Sequence, residues 1–139
     1  MSIKDLHNNV FGLIALAPVA IASSTTTVGL EIDRKGYSAI EFFLQTGVVT
    51  DGDYSLVLTE CATSGGSFTA VAAADLLGTS PAYTADTDDA KIGRVGYIGN
   101  LRYLKATVVS ANVTTGALVA VTAVAGKPHY APTASNTGV

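Results

Sequence analysis

Residues 39–60 read AIEFFLQTGVVTDGDYSLVLTE, and this stretch decides the fold. In its first half Ile40, Phe42 and Leu44 fall on one face, with Glu41, Phe43 and Gln45 on the other. In its second half Leu56 and Leu58 alternate with Ser55, Val57 and Thr59. A period of two is what a half-buried β-strand imposes, because successive side chains point to opposite faces of a sheet. Between the halves, Asp51-Gly52 supplies the residue types of a tight hairpin turn. The matched alternation predicts that Phe42, Leu44, Leu56 and Leu58 enter one shared core.

The same signals spread outward. Upstream, Val28, Leu30 and Ile32 alternate with Thr27, Gly29 and Glu31. Downstream, residues 101–110 and 118–125 are rich in β-branched side chains and are expected to be buried on both faces. Turn chemistry separates these runs at Arg34-Lys35-Gly36, at Ser64-Gly65-Gly66 and across 112–116. Seven or eight strands at this spacing predict an all-β, antiparallel β-sandwich or barrel. One short helix is predicted over 70–77 (AVAAADLL), stopped by Gly78. Residues 79–89 read as an exposed loop, and 126–139, with two prolines, as an extended tail. The apolar run 10–22 ends in Ala20-Ile21-Ala22, which imitates a leader cleavage site, but the residues before it carry Asp5 and a single lysine. It reads as a folded strand or arm, and it is too short to span a membrane.

A chain of 139 residues fits a single domain, here 1–139, and can bury a real core without staples. Apolar residues make up 48% and charged residues only 14%, so the surface is built from Thr, Ser, Asn, Gly and Ala. Such a surface suits packing against neighbours, since hydroxyls and amides cost less to desolvate than charges. The net charge is −3 and the basic residues are scattered, which argues against nucleic acid as a partner. Cys61 is the only cysteine and reads as a small core hydrophobe.

Groups able to do chemistry are sparse. His7 and His129 are the only histidines, and no third ligand stands at a metal-site spacing. No serine or cysteine sits in a nucleophile motif. Any paired-carboxylate chemistry would draw on Glu31, Glu41, Glu60 and the aspartates, and these read as solvent-facing strand residues. Asp86-Thr87-Asp88-Asp89 is acidic but lacks the glycine and closing glutamate of a calcium loop. Gly93, Gly96 and Gly99 do not have the spacing of a dinucleotide fingerprint and predict a tightly bent strand beside Tyr97 and Tyr103. Tyr54, Tyr83, Tyr97, Tyr103 and Tyr130 are the aromatic groups a sugar-binding platform would draw on, and interface or core-rim packing is the simpler reading. The expectation is a protein that is not an enzyme and needs no cofactor and no metal.

Several segments together carry a resemblance: MSIKDLHNN (1–9), DRKGYSAIEFFLQTG (33–47), DGDYSLVL (51–58), DLLGT (75–79), IGRVGYIGNLRYLKATV (92–108) and GKPHYAP (126–132). In layout the chain resembles the small proteins encoded beside the coat protein in tailed bacteriophages, among them capsid cement, or decoration, proteins with a jelly-roll β-sandwich. That resemblance implies a structural virion protein on the capsid surface. It would bind the phage major capsid protein, act as a dimer or trimer, touch neither nucleic acid nor membrane, and bring no catalytic residues. The alternative is a carbohydrate- or host-binding β-sandwich module of a phage particle. On either view residues 1–9 and 127–139 are expected to be terminal arms, being poor in core pattern. Pro128 and Pro132 lower the cost of ordering the second arm, and Tyr130 between them suits a partner's groove. Lys127, Pro128, His129, Tyr130 and Pro132 are therefore the candidate capsid or subunit contacts.

Overall fold

The computed structural model describes residues 4–133. Its strands are, in chain order, β1 (Val10–Ile21), β2 (Thr26–Asp33), β3 (Tyr37–Val49), β4 (Asp53–Cys61), β5 (Thr69–Ala70), β6 (Leu76–Leu77), β7 (Ala82–Tyr83), β8 (Ile92–Tyr97), β9 (Tyr103–Ala111) and β10 (Ala117–Pro128). They form two sheets, one ordered β1-β10-β3-β8-β6 and the other β2-β9-β4-β5, with β7 also paired to β4. Every pairing is antiparallel. The pairs are nested: β1 with β10, β2 with β9, β3 with β8, and β4 with the short strands that follow it. Consecutive long strands alternate between sheets, which is the winding of a jelly-roll β-sandwich.

The core lies between the sheets. Phe42, Leu44, Val95, Val121 and Ala123 from one inner face meet Tyr54, Leu56, Leu58, Leu104 and Val108 from the other, none more than 2% exposed. The four side chains whose shared core the alternation predicts are among them. They enter from opposite sheets, however. β3 and β4 are not a hairpin, and Asp51-Gly52 is the corner that carries the chain across. The Asp51 carboxylate accepts the backbone N–H groups of Thr114, Thr115 and Gly116 at 2.9–3.1 Å. Gly52 takes a φ of +98°, where a side chain would be strained. The β3–β4 corner is thus tied to the β9–β10 turn.

Other expectations need correction. Residues 70–77 form no helix: Ala70 ends β5, Ala73–Asp75 make one 3-10 turn, and Leu76–Leu77 form β6 against β8. So short a helix is marginal alone, and here neighbours use its backbone instead: Val71 N–H donates to Leu58 O, and Asp75 O accepts from Ile98. β10 is not buried on both faces, since its buried residues alternate with more exposed ones and Leu118 is 50% exposed; β9 is buried on both faces only at its centre, where Ala106, Thr107 and Val108 are all buried. β8 pairs with β3 without a register shift, so its glycines mark close approach and not a bend. A side chain at Gly93 would meet Pro81 and Tyr83, and one at Gly99 the Tyr97 ring, all within 3 Å. The run 10–22 is a strand, and Pro18 is tolerated because β1 is an edge.

Candidate functional site

The outer face of the β1-β10-β3-β8 sheet is the first candidate. Register places Ile14, Thr122, Phe43 and Arg94 in one row across it, and Gly12, Val124, Glu41 and Gly96 in the next. Ala120, Gln45 and Ile92 form a third. Leu118, Val48 and Ile92 stand 50–65% exposed, and Ile14 45%. A shallow groove of about 390 Å³ between Ile14, Pro18, Gly47, Leu118 and Ala120 crosses this face. The charges in these rows, Glu41 and Arg94, oppose each other at 4.0 Å. These exposed apolar side chains therefore share one weakly charged surface.

A second feature lies at the end of the sandwich where the β2–β3 turn, the β8–β9 loop and the end of β10 converge. An open cleft of about 500 Å³ is lined there by Arg34, Lys35, Tyr37, Ile98, Arg102 and His129, among others. Arg34 donates through Nε to Leu101 O (2.6 Å) and through Nη2 to Gly99 O (3.1 Å), with its guanidinium 5.5 Å from the Tyr97 ring centre. Arg102 forks onto Asp33 with two contacts of 2.7 Å. That fork holds the Asp33 carboxyl below the usual carboxylate range. Sequence reading missed this cluster because Arg34 and Lys35 are far from Arg102 in the chain and meet it only through the strand nesting.

The remaining candidates are engaged in structure. Asp88 accepts from Ala85 N–H (3.1 Å) and Asp89 from Val49 N–H (2.6 Å), so both carboxylates cap the loop that precedes β8. Among the described residues no three of His, Cys, Asp and Glu converge as a metal cluster. Glu31 accepts from Ser64 Oγ and Gly65 N–H, Glu41 faces Arg94, and Glu60 accepts the Tyr97 hydroxyl at 2.5 Å. Each glutamate has its own partner, and the three are not gathered at one site. Cys61 is buried at the end of β4. Of the tyrosines, Tyr54 and Tyr97 lie in the core at 0% and 3% exposure, which removes two of the five from any sugar platform.

The anticipated arms are partly strand. Lys127 and Pro128 close β10, with Pro128 opposite Tyr37. His129 N–H donates to Gly36 O, and Tyr130 stands 89% exposed just beyond. Pro132 follows a cis peptide bond. Thr133 then reaches the other terminus, donating to Asn8 O and Val10 O at 3.0 and 2.9 Å. There Asp5 accepts from the backbone and side chain of Asn8 within the turn that leads to β1. The chain itself therefore supplies partners for Asp5, Asn8, Asn9, Pro128, His129 and Thr133. Residues 1–3 and 134–139 of the arms lie outside the described residues.

No protein-family model and no curated protein matches this chain. Among solved structures, it is similar to a chain in the structure of infectious bursal disease virus, Gx strain, at 16% identity and a TM-score of 0.32. The similarity covers 84% of this chain and 40% of that one, so this chain spans less than half the length of its match. A TM-score that low carries no argument about function, and the jelly-roll assignment rests on the strand order alone.

Proposed function

We propose that this chain is a structural protein of a tailed-phage particle, which binds the outside of the head and cements neighbouring major capsid subunits. The observation that carries the reading is the exposed, weakly charged outer face of the β1-β10-β3-β8 sheet around Ile14, Leu118, Val48 and Ile92. The face is carried on hydrogen-bonded strands of a two-sheet sandwich, so little order has to be gained on docking. The layout resemblance to phage cement proteins names the partner, and repetition over many copies lets each contact be modest. Within this reading Lys127, Pro128, His129, Tyr130 and Pro132 form a second contact, led by the exposed Tyr130, and the protein acts as a dimer or trimer. The chain is read as a non-enzyme. A glycan-binding module is disfavoured because Tyr54 and Tyr97 are core residues.

The test is a charge placed on the face. Leu118→Asp leaves the core untouched, because its side chain points away from it. We expect its affinity for assembled heads lacking the protein to fall by about tenfold or more, equivalent to about 1.4 kcal/mol. The melting temperature should stay near that of the parent. Unchanged occupancy of heads by a folded Leu118→Asp protein would rule this face out.

A further inference from the structure

The cleft at the β2–β3 end is separate from the sheet face argued above, shares only His129 with the proposed second contact, and gathers charge of one sign. Arg34, Lys35 and Arg102 line it, three of the eight lysines and arginines in the chain. The ion pair found at its wall is Arg102 with Asp33. Three positive charges against one carboxylate leave a local excess of positive charge in a chain of net charge −3. Glu60, which accepts the Tyr97 hydroxyl, does not line the cleft.

Two of the cations are held in place before any ligand arrives. Arg34 is fixed by two carbonyls and the Tyr97 ring, and no carboxylate neutralises it among the described residues. Arg102 is fixed by the Asp33 fork and lies 4.9 Å from the centre of the Tyr103 ring. A guanidinium immobilised in this way loses little further freedom on pairing with an anion. Lys35 stands exposed at the tip of the turn. Exposed Ile98, at 53%, gives the cleft an apolar flank.

We infer that this cleft binds an acidic peptide segment, an extended stretch presenting two or more carboxylates to Arg34, Lys35 and Arg102, with an apolar side chain against Ile98. The Nε–Nη2 edges of Arg34 and Arg102 are already taken by Leu101 O, Gly99 O and Asp33, so a peptide carboxylate would accept charge-assisted hydrogen bonds from their remaining N–H groups and from Lys35. Three cations at one spot are too few to follow a phosphodiester backbone, whose binding grows with the number of phosphates neutralised. The open shape admits a chain passing through. The inference is independent of the virion reading, since it rests on the charge and geometry of the cleft alone.

The experiment is fluorescence anisotropy of a labelled tetraglutamate peptide titrated with the full chain at low ionic strength. Tetraserine and oligothymidylate serve as comparison probes. Tetraglutamate should bind, weaken as salt is added, and bind more tightly than either comparison. Lys35→Glu, at an exposed turn position, should weaken it by about tenfold or more, whereas Arg94→Glu on the distant sheet face should change it less than about twofold. No binding of tetraglutamate, equal binding of tetraserine, or equal losses in the two variants would each overturn the inference. Tighter binding of oligothymidylate would overturn it in favour of a nucleic-acid surface.

Discussion

Tyr97 shows how one side chain joins core to surface. It is 3% exposed, its hydroxyl donates to Glu60 at 2.5 Å and accepts Leu101 N–H at 3.0 Å, and its ring lies beneath Arg34. Burial first, then the Glu60 contact, push its pKa up to about 12. The folded protein therefore keeps the phenol proton after the unfolded chain has lost it. The stabilisation is complete below about pH 10, the ordinary tyrosine value, and is lost as pH rises to about 12. We expect Tyr97→Phe to cost about 1–3 kcal/mol in denaturant melts at neutral pH, because Glu60 and Leu101 N–H lose a buried partner. The variant should also show a shallower loss of stability between about pH 10 and 12 than the parent. Phe42, fully buried, should cost about 3–5 kcal/mol on replacement by Ala, read from the same melts. A loss below about 1 kcal/mol, the size of a surface change, would contradict the β3 register. Asp51 has the opposite pH sign. Its contacts with Thr114 and Thr115, and then Gly116, lower its pKa, so its contribution is present above the usual carboxylate value and fades as pH falls through the depressed one. Asp51→Ala should lower the melting temperature at pH 7 and reduce the loss on acidification.

Among the elements, the edge strands β1 and β2 are constrained by their close approach across the two sheets. β1 shifts register between Ile14 and Leu16 and again before Val19, and β2 between Val28 and Glu31. Gly29 lies where they meet: a Cβ there would stand 2.1 Å from Ala15 O and 2.6 Å from Ala106 O, both backbone atoms that cannot swing aside. Gly29→Ala should therefore destabilise by about 1–3 kcal/mol, measured by urea unfolding. A neutral result would mean that β1 and β2 do not approach as described. The loop before β8 makes a different prediction. Its aspartates cap backbone N–H groups, so EDTA should leave the melting temperature unchanged, and a clear fall would reveal a bound cation.

What the sequence shows and hides follows the same division. Period-two alternation marked β2, β3 and β4, and the turn glycines at 36, 52, 65 and 116 do take positive φ. The pairing was not legible, because alternation records which face is buried and not which strand lies alongside. Asp51-Gly52 therefore looked like a hairpin when it is an inter-sheet corner. Residues 70–77 looked helical by local propensity, and hydrogen bonds from distant strands overrode it. The cationic cleft was invisible for the same reason: only nesting brings residue 34 to residues 102 and 129.

At the scale of the molecule, charge separates along the sandwich. Asp51, Asp53, Asp88 and Asp89 outnumber Lys91 where β3 ends and β4 begins, while Arg34, Lys35, Arg102 and Lys127 outnumber Asp33 at the other end. Between them the outer sheet face is nearly uncharged and studded with Ile14, Leu118 and Ile92. That division fits the proposed docking by the apolar face, with the exposed Tyr130 as a second contact at one end. The virion account requires the protein to be a fixed component of particles and not a passing ligand. The most direct measurement is quantitative mass spectrometry of purified, salt-washed phage particles, read as copies of this chain per major capsid subunit. The account expects one constant ratio, set by the lattice symmetry, in independent preparations. Absence from the particles, or a ratio that drifts with each wash, would contradict it.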